Sequence, residues 1–506
     1  MIEQQLEFFS HEDKALNRLR SLFTYGIVSL IAISCILSSC FDETFESNVD
    51  VELVTSLDTL RFDTVFTTIG SITRQFVVHN PTNSNINITS IALDEGSQSM
   101  FRLNVDGIPG NEATEIPILA NDSVHVFVEV TVDPDQPLSV SPFIIEEFLT
   151  IRSGGREKKV QLEAWGQNAN YFPSRNTQGQ IVGLSCRGGQ ITWDDPRPYV
   201  INGLLFIDSC EIVVPPGTQV FVHGGIARQE DIIFGDGGLF FLPDGRFTIA
   251  GTRDNPVVFQ GDRLEPAFDD LPGQWAGIRF LAGSTGHTIR HAEIRNSTVG
   301  IRADSASSAE ITNVTIANTS NVGILAVHAE LQVDNTLIHS NGTQSIAMTF
   351  GGEYNFRHCT IANFQNQSAG VFMDNFTCRN AECSIISTNP LEVNFSNSII
   401  MGSNDNEIDV IDVGEGMDPD LFSLTLDHTL VKVTDENENY PASSCVECIE
   451  QTDQPVFLDV FSDDYTLDTV SVARGAGTFI SDLALDLLGL PRDTDNPDLG
   501  CFEFQE

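Results

Sequence analysis

Positive charge is scarce in this chain. Its 506 residues hold 26 Lys and Arg against 71 Asp and Glu, a formal charge of −45. Binding to nucleic acid rests on cations that neutralise phosphates, so that class of partner is excluded. Anionic polymers held without a bridging cation are disfavoured on the same ground. An acidic, solvated surface on an exported protein is the plain reading. Cysteine is sparse too, with 10 residues, too few for a scaffold stapled throughout by disulfides. Tryptophan is rarer still, at three. Long apolar runs are missing beyond the N-terminal region, where Leu22 to Leu37 forms one of about 16 residues, short of the roughly 20 that span a bilayer. Hydrophobic content of 41% nonetheless supports real cores, and the length allows several domains.

What is present is a repeat. Between about Thr288 and Val410 an apolar anchor recurs at Ile294, Ile316, Ile338, Ile361 and Ile400, in steps of 22, 22, 23 and 39 residues. Five residues before each anchor stands Ile289, Ile311, Val333, Phe356 or Phe395. Three residues before it stands His291, Asn313, Asn335, His358 or Asn397. A period in the low twenties marks a solenoid. The alternation in Ile311-Thr-Asn-Val314-Thr-Ile316 has the two-residue period of a strand. Leucine-rich repeats share the length, but their frame is missing. The pattern therefore predicts a β-helix with one coil per repeat. Stacked coils superpose equivalent residues, Asn tolerates a left-handed corner, and stacked Asn side chains bond along their column. The column His291, Asn313, Asn335, His358 and Asn397 is expected to serve as a structural ladder.

The N-terminal region reads as an export signal. Lys14, Arg18 and Arg20 precede the apolar run, which ends in Leu37-Ser38-Ser39-Cys40. That ending resembles a bacterial lipobox and implies lipid on Cys40. Phe41-Asp42-Glu43 resembles the surface-export signal of some Gram-negative lipoproteins. The expected location is the outer membrane at the cell surface, with the periplasmic face left open. Residues 1–39 are then the signal peptide and 40–49 a tether.

Residues 50–168 alternate in short runs such as Arg74-Gln-Phe76-Val-Val78 and Val124-His-Val126-Phe-Val128-Glu-Val130, separated by turn residues. They predict a β-sandwich. Phe76-Val-Val-His-Asn80 with Asn85-Ile-Asn-Ile88 resembles immunoglobulin-like modules, and the expected role is a spacer. Residues 169–198 read as a connector. Strands resume at Tyr199 and run to about 430, and residues 431–506 are expected to cap the solenoid, with a short helix starting at Ser481 or Asp482.

Gly217-Thr218, Gly251-Thr252, Asn255-Pro-Val-Val-Phe259 and Gly273-Gln-Trp275-Ala-Gly277-Ile278, followed by the repeats, resemble the bacterial right-handed parallel β-helix lipoproteins of pectin-lyase-like fold. The ending Arg492…Asp498-Leu-Gly500-Cys-Phe-Glu503 is similar to their closing segment. The whole fold expected is all-β: an immunoglobulin-like sandwich, then a right-handed parallel β-helix with a C-terminal cap. The resemblance implies an envelope protein, some relatives acting on polysaccharides.

The catalytic signatures of that fold depart here. Gly286-His287-Thr288 is not Gly-His-Gly, Arg-x-Lys does not occur in the repeats, and Asn335-Thr336 is followed by Leu337. Asp269-Asp270 lies in a loop after Pro266, and a pair such as Glu293 and Asp304 arises easily in so acidic a chain. No catalytic residue and no required cofactor are assigned. The leading function is non-catalytic binding of a glycan or a surface protein along a flank, with Trp275 and Tyr354 as candidate glycan contacts. A polysaccharide lyase or glycoside hydrolase and a structural envelope protein are the alternatives. The acidic runs 405–409, 435–439 and 493–498 match no EF-hand loop, so calcium would be incidental and no metal site is assigned. Local disulfides are expected at Cys378–Cys383, Cys445–Cys448 and Cys186–Cys210, with Cys359 a buried thiol inside a strand.

Overall fold

The computed structural model describes residues 44–505 except 48, 67–70, 72, 133–142, 174–180, 182, 230–231, 414–419, 435–443 and 451–453. Residues 1–39, expected to be a signal peptide, and Cys40 lie outside the described residues. The chain divides into two compact units, the first made mainly of residues up to 164 and the second running from Trp165 to Glu506 with two short earlier pieces.

The first unit is built from two sheets. One orders Glu46–Ser47, Ile86–Leu93, Phe143–Ser153, Arg156–Gln167 and Thr59–Phe66, with Glu112–Ile118 also on Ile86–Leu93. The other orders Val54–Thr55, Arg74–His79, Ser123–Val130, Phe101–Val105 and Ile108–Gly110. Alternation in Val124, Val126, Val128 and Val130 turns every second side chain inward, and all four are buried. Phe62 of the first sheet meets Phe101 of the second at 5.7 Å between ring centroids, so the sheets share one core.

The second unit is a parallel β-helix. Three columns of parallel strands run its length. One column contains Tyr199–Asn202, Gln219–His223, Val257–Gly261, Leu337–Asn341, Thr360–Asn363 and Ile399–Gly402. The anchors stack in register: Ile294 on Ile316, Ile316 on Ile338, Ile338 on Ile361, Ile361 on Ile400. The apolar residues five earlier stack likewise, from Ile289 on Ile311 to Phe356 on Phe395. Phe356 and Phe395 lie 4.6 Å apart and nearly parallel. All ten of these side chains are buried.

Between the two stacks the chain turns a corner on one residue. That residue has positive φ in six successive coils: His291 (48°), Asn313 (57°), Asn335 (50°), His358 (51°), Asn397 (48°) and, one coil on, His428 (48°). Asn313 Nδ2 donates to His291 Nε2 at 3.2 Å, Asn335 Nδ2 to Asn313 Oδ1 at 2.6 Å, and Asn397 Nδ2 to His358 Nε2 at 3.0 Å. The ladder is interrupted between Asn335 and His358. There Arg492 enters from the C-terminal segment, its Nη2 donating to Asn335 Oδ1 at 2.7 Å and to Gly500 O at 3.0 Å. Arg492 is buried and faces Glu503 at 3.4 Å. Burial holds His358 neutral, far below its ordinary pKa, with the Arg492 charge adding to the effect. Neutral His358 then accepts from Asn397 and gives its Nδ1 proton to Gly500 O, 3.3 Å away.

Four expectations need correction. Residues 169–198 are no connector: Asn170–Phe172, Gly183–Leu184 and Gly189–Thr192 pair in parallel with Tyr199–Asn202, Leu204–Ile207 and Cys210–Val214, forming a first coil. Their polar composition misled because a terminal coil has one covered side only. The Cys186–Cys210 disulfide, Cα atoms 4.9 Å apart, ties that coil to the next. Second, residues 457–504 do not act as an end cap. They lie back along the flank as a strap, burying Phe457, Tyr465, Leu467, Leu499, Cys501 and Phe502 against Leu337, Ala362, Ile399, Met401 and Leu430 of the coils. Third, Ser481–Leu483 is a single 3-10 turn without a side-chain cap, not a helix. Cys378–Cys383 and Cys445–Cys448 are bonded within their loops, at Cα separations of 4.7 and 5.6 Å. Fourth, Cys359 is a buried thiol that sits between strands, not inside one.

The ladder makes a prediction. Asn313→Ala removes both of its rungs and puts Cβ-bearing alanine at φ 57°, so a loss of about 2–4 kcal/mol is expected in urea unfolding. Asn313→Gly keeps the corner and loses only the rungs, so it should cost about 1–2 kcal/mol less. Equal losses from the two would show that the corner conformation carries no weight.

Candidate functional site

The anchor strands present every second residue outward. Glu293 and Arg295 flank Ile294, Thr315 and Ala317 flank Ile316, and His339 follows Ile338. These outward positions floor a groove of about 390 Å³. Its first wall is the loop bearing Asp269 and Asp270. That loop is pinned: Gln274 Nε2 donates to Phe268 O and Leu271 O at 2.6 and 2.9 Å, and Asn296 Nδ2 donates to Asp269 O at 2.8 Å. Arg263 stacks on Phe268 at 3.7 Å. Beneath the floor, Trp275 is fully buried and donates from Nε1 to Arg295 O at 2.9 Å. Gly277 lets this segment lie against the next coil, because a Cβ there would collide with Val299 O.

The opposite wall comes from the strap. Asp463 accepts from Ser340 Oγ at 3.0 Å and from Tyr465 OH at 2.9 Å, and His339 Nδ1 lies 3.5 Å away. His339 Nδ1 is also 3.0 Å from Ser340 Oγ. With Ser340 donating to Asp463, His339 Nδ1 is the donor in its contact with Ser340 Oγ, an assignment that follows from the network. Nε2 has no hydrogen bond among the described residues. The bond from His339 holds the Asp463 carboxyl at about 2, well below the usual carboxylate range, so it is a fixed anion. Just before it, Phe461 stands 98% exposed.

The remaining lining is polar. Asn318 Nδ2 donates to Asn296 Oδ1 at 2.7 Å, a second short ladder, which leaves its own carbonyl oxygen to the groove. Thr315 and Gln365 add a hydroxyl and an amide. Arg295 bonds Glu293 at 2.7 Å.

The structure separates several residues that the sequence suggested together. Trp275 and Tyr354 cannot touch a glycan, because both are buried. Tyr354 takes Ala329 N and donates to Gly351 O, closing a corner. Its place two residues before Phe356 makes it an inward residue. Glu293 lines the groove, whereas Asp304 is held by Arg279 and Arg302 at 2.7 and 2.8 Å on another column. The column His291, Asn313, Asn335, His358 and Asn397 is engaged in the ladder and the strap. Among the described residues no three His, Cys, Asp or Glu gather to hold a metal ion. The sequence reading missed His339, Ser340, Asp463 and Phe461. The outward position of His339 was readable from its anchor, while Asp463 lies 123 residues beyond Ser340, which bonds it.

Residues 276–416 match the family described as the right handed beta helix region. The second unit is thus a right-handed β-helix. No curated protein matches the chain. Among solved structures, the complex of XylC with xylose is 10% identical over 88% of this chain and 89% of that one, with a TM-score of 0.32. The catalytic unit of a thermostable GH87 alpha-1,3-glucanase from Streptomyces thermodiastaticus strain HF3-3 is 9% identical over 70% and 72%, at 0.27. A family 123 glycoside hydrolase from Clostridium perfringens is 9% identical over 23% of this chain, at 0.17, and the chain spans only 26% of it. At such scores these likenesses do not bear on what the β-helix does.

Asp463 yields a pH test. A folded pKa below the ordinary value means the native state favours the anion. Its contribution is complete above the usual carboxylate range and is lost as pH falls towards about 2. Asp463→Asn should therefore lower Tm at neutral pH, with the gap from wild type closing over the acid range. A gap that persists unchanged at pH 2 would contradict this account.

Proposed function

We propose that the chain is an exported lipoprotein, anchored through Cys40, that binds a glycan in the flank groove without cleaving it. The supporting observation is the lining itself. Side-chain hydroxyl, amide, imidazole and carboxylate groups converge on one groove, the arrangement that fits a polyhydroxyl ligand. The first unit serves as an immunoglobulin-like spacer between the outer membrane and the β-helix, with the groove at the cell surface.

Binding is favoured over hydrolysis by where the carboxyls with raised pKa are. A glycosidase needs one acid kept protonated beside a second carboxylate. Burial raises Glu147, Asp374, Glu407, Asp486 and Glu503, and none of them lines the groove. Glu407, for one, takes Gly370 N, Asn363 Nδ2 and Asn404 N and is committed to the fold. The groove's Asp463 is shifted the opposite way. Hydrolysis is the second reading, because Asp269 and Asp270 face Asp463 across the groove.

The test is a glycan array on the full-length protein in detergent, with mass spectrometry of every hit, with and without calcium. Binding with intact glycans is expected, together with detergent-phase partitioning that Cys40→Ala abolishes. Cleaved products would replace binding by catalysis, unsaturated ends indicating a lyase and new reducing ends a hydrolase. No hit at all would overturn the glycan reading.

A further inference from the structure

Phe461 is the least buried large apolar side chain described, yet it is not on a loose end. It sits in the 3-10 turn Val460–Ser462, whose cap is Asp459. Asp459 Oδ1 accepts from Phe461 N at 3.0 Å and Oδ2 from Ser462 Oγ at 2.8 Å. Asp463 closes the turn in the left-handed conformation, at φ 55°. On both sides the chain is rooted. Phe457 and Tyr465 pack edge to face at 5.4 Å, and both are buried in the second core. A fixed turn thus holds a phenyl ring in solvent, where burying it would gain about 1.5–3 kcal/mol. Two residues along the chain, with its Cα roughly 7 Å at most from that of Phe461, Asp463 lines the groove.

We infer that Phe461 is the stacking platform of the groove, and that the ligand is a neutral oligosaccharide of pyranose units with equatorial hydroxyls. This rests on the glycan-binding reading above. Such a sugar has one face of bare C–H groups and a rim of hydroxyls. The C–H face suits the electron-rich face of a phenyl ring. The hydroxyls suit the polar groups that line the groove: the His339 imidazole, Thr315, Asn318, Gln365 and the Asp463 carboxylate. A uronate polymer fits poorly. The groove carries Asp269, Asp270, Glu293 and Asp463, and the arginine in its lining is already bonded to Glu293. Among the described lining residues no unpaired Lys or Arg offsets the repulsion that a like-charge ligand would meet.

The experiment is calorimetric titration of the full-length protein in detergent with xylohexaose, cellohexaose and a galacturonate hexamer. Wild type is expected to bind a neutral hexamer and not the galacturonate. Phe461→Ala should weaken that binding about three- to tenfold, and Phe461→Trp should retain it. Tm should not move in either variant, because the ring touches little. Neutral binding unchanged in Phe461→Ala would overturn the platform and leave the groove reading standing. Preference for the galacturonate would overturn the ligand class. No binding of any hexamer by wild type would remove the reading on which the inference rests. A change of sedimentation in Phe461→Ala would also overturn it, assigning the ring to contact between copies.

Discussion

The structure depends on a corner made by one residue. From His291 onward each coil turns from one strand column to the next without opening a loop, by placing a single residue in the left-handed region, whereas the two coils before it turn through residues 215–218 and 251–256. For a side chain other than glycine that costs roughly 1–2 kcal/mol. Asn and His offset the cost by bonding to the corner above or below, as Asn313 does with His291 and Asn335. One corner fixes the register of the coils on either side, because a slip would turn the anchors outward. The in-register stack of Ile294, Ile316, Ile338, Ile361 and Ile400 follows from that.

The corner column also explains the C-terminal strap. Where the ladder lapses, its polar atoms still need partners. Arg492, the Gly500 carbonyl and the Thr478 backbone supply them, Asn397 Nδ2 donating to Thr478 O at 2.6 Å. Gly500 stands at φ 82° with Thr360 Oγ1 2.5 Å from where a Cβ would be, so only glycine passes this close. Asp498 then takes Gly475 N and Phe504 N, and Glu503 takes Asp493 N and Asp498 N. The closing motif Arg492…Asp498-Leu-Gly500-Cys-Phe-Glu503 is therefore a docking device. Its consequence for function is indirect but strong: docking the strap on the corners brings the turn of Phe461 and Asp463 to the groove.

Local periodicity made the coils legible. Anchors, corners and the Cys186–Cys210 spacing were all readable because a solenoid repeats its contacts at short range. The first coil was hidden, since strands such as Gly183–Leu184 are too short to show alternation. Trp275 and Tyr354 were misread by residue type when position was the better guide, Tyr354 sharing the inward parity of Phe356. The groove escaped for another reason. Its floor is periodic, but its wall joins Ser340 to Asp463, and no local pattern reports a contact of that range.

Hydrogen exchange by mass spectrometry on the full-length protein tests this dependence most directly. If the strap is docked on the corner column, amides of residues 457–504 will exchange as slowly as those of the coils from Asn335 to Ile400. Rapid exchange across the strap beside protected coils would mean that the corners are satisfied without it, and that the groove lacks its second wall.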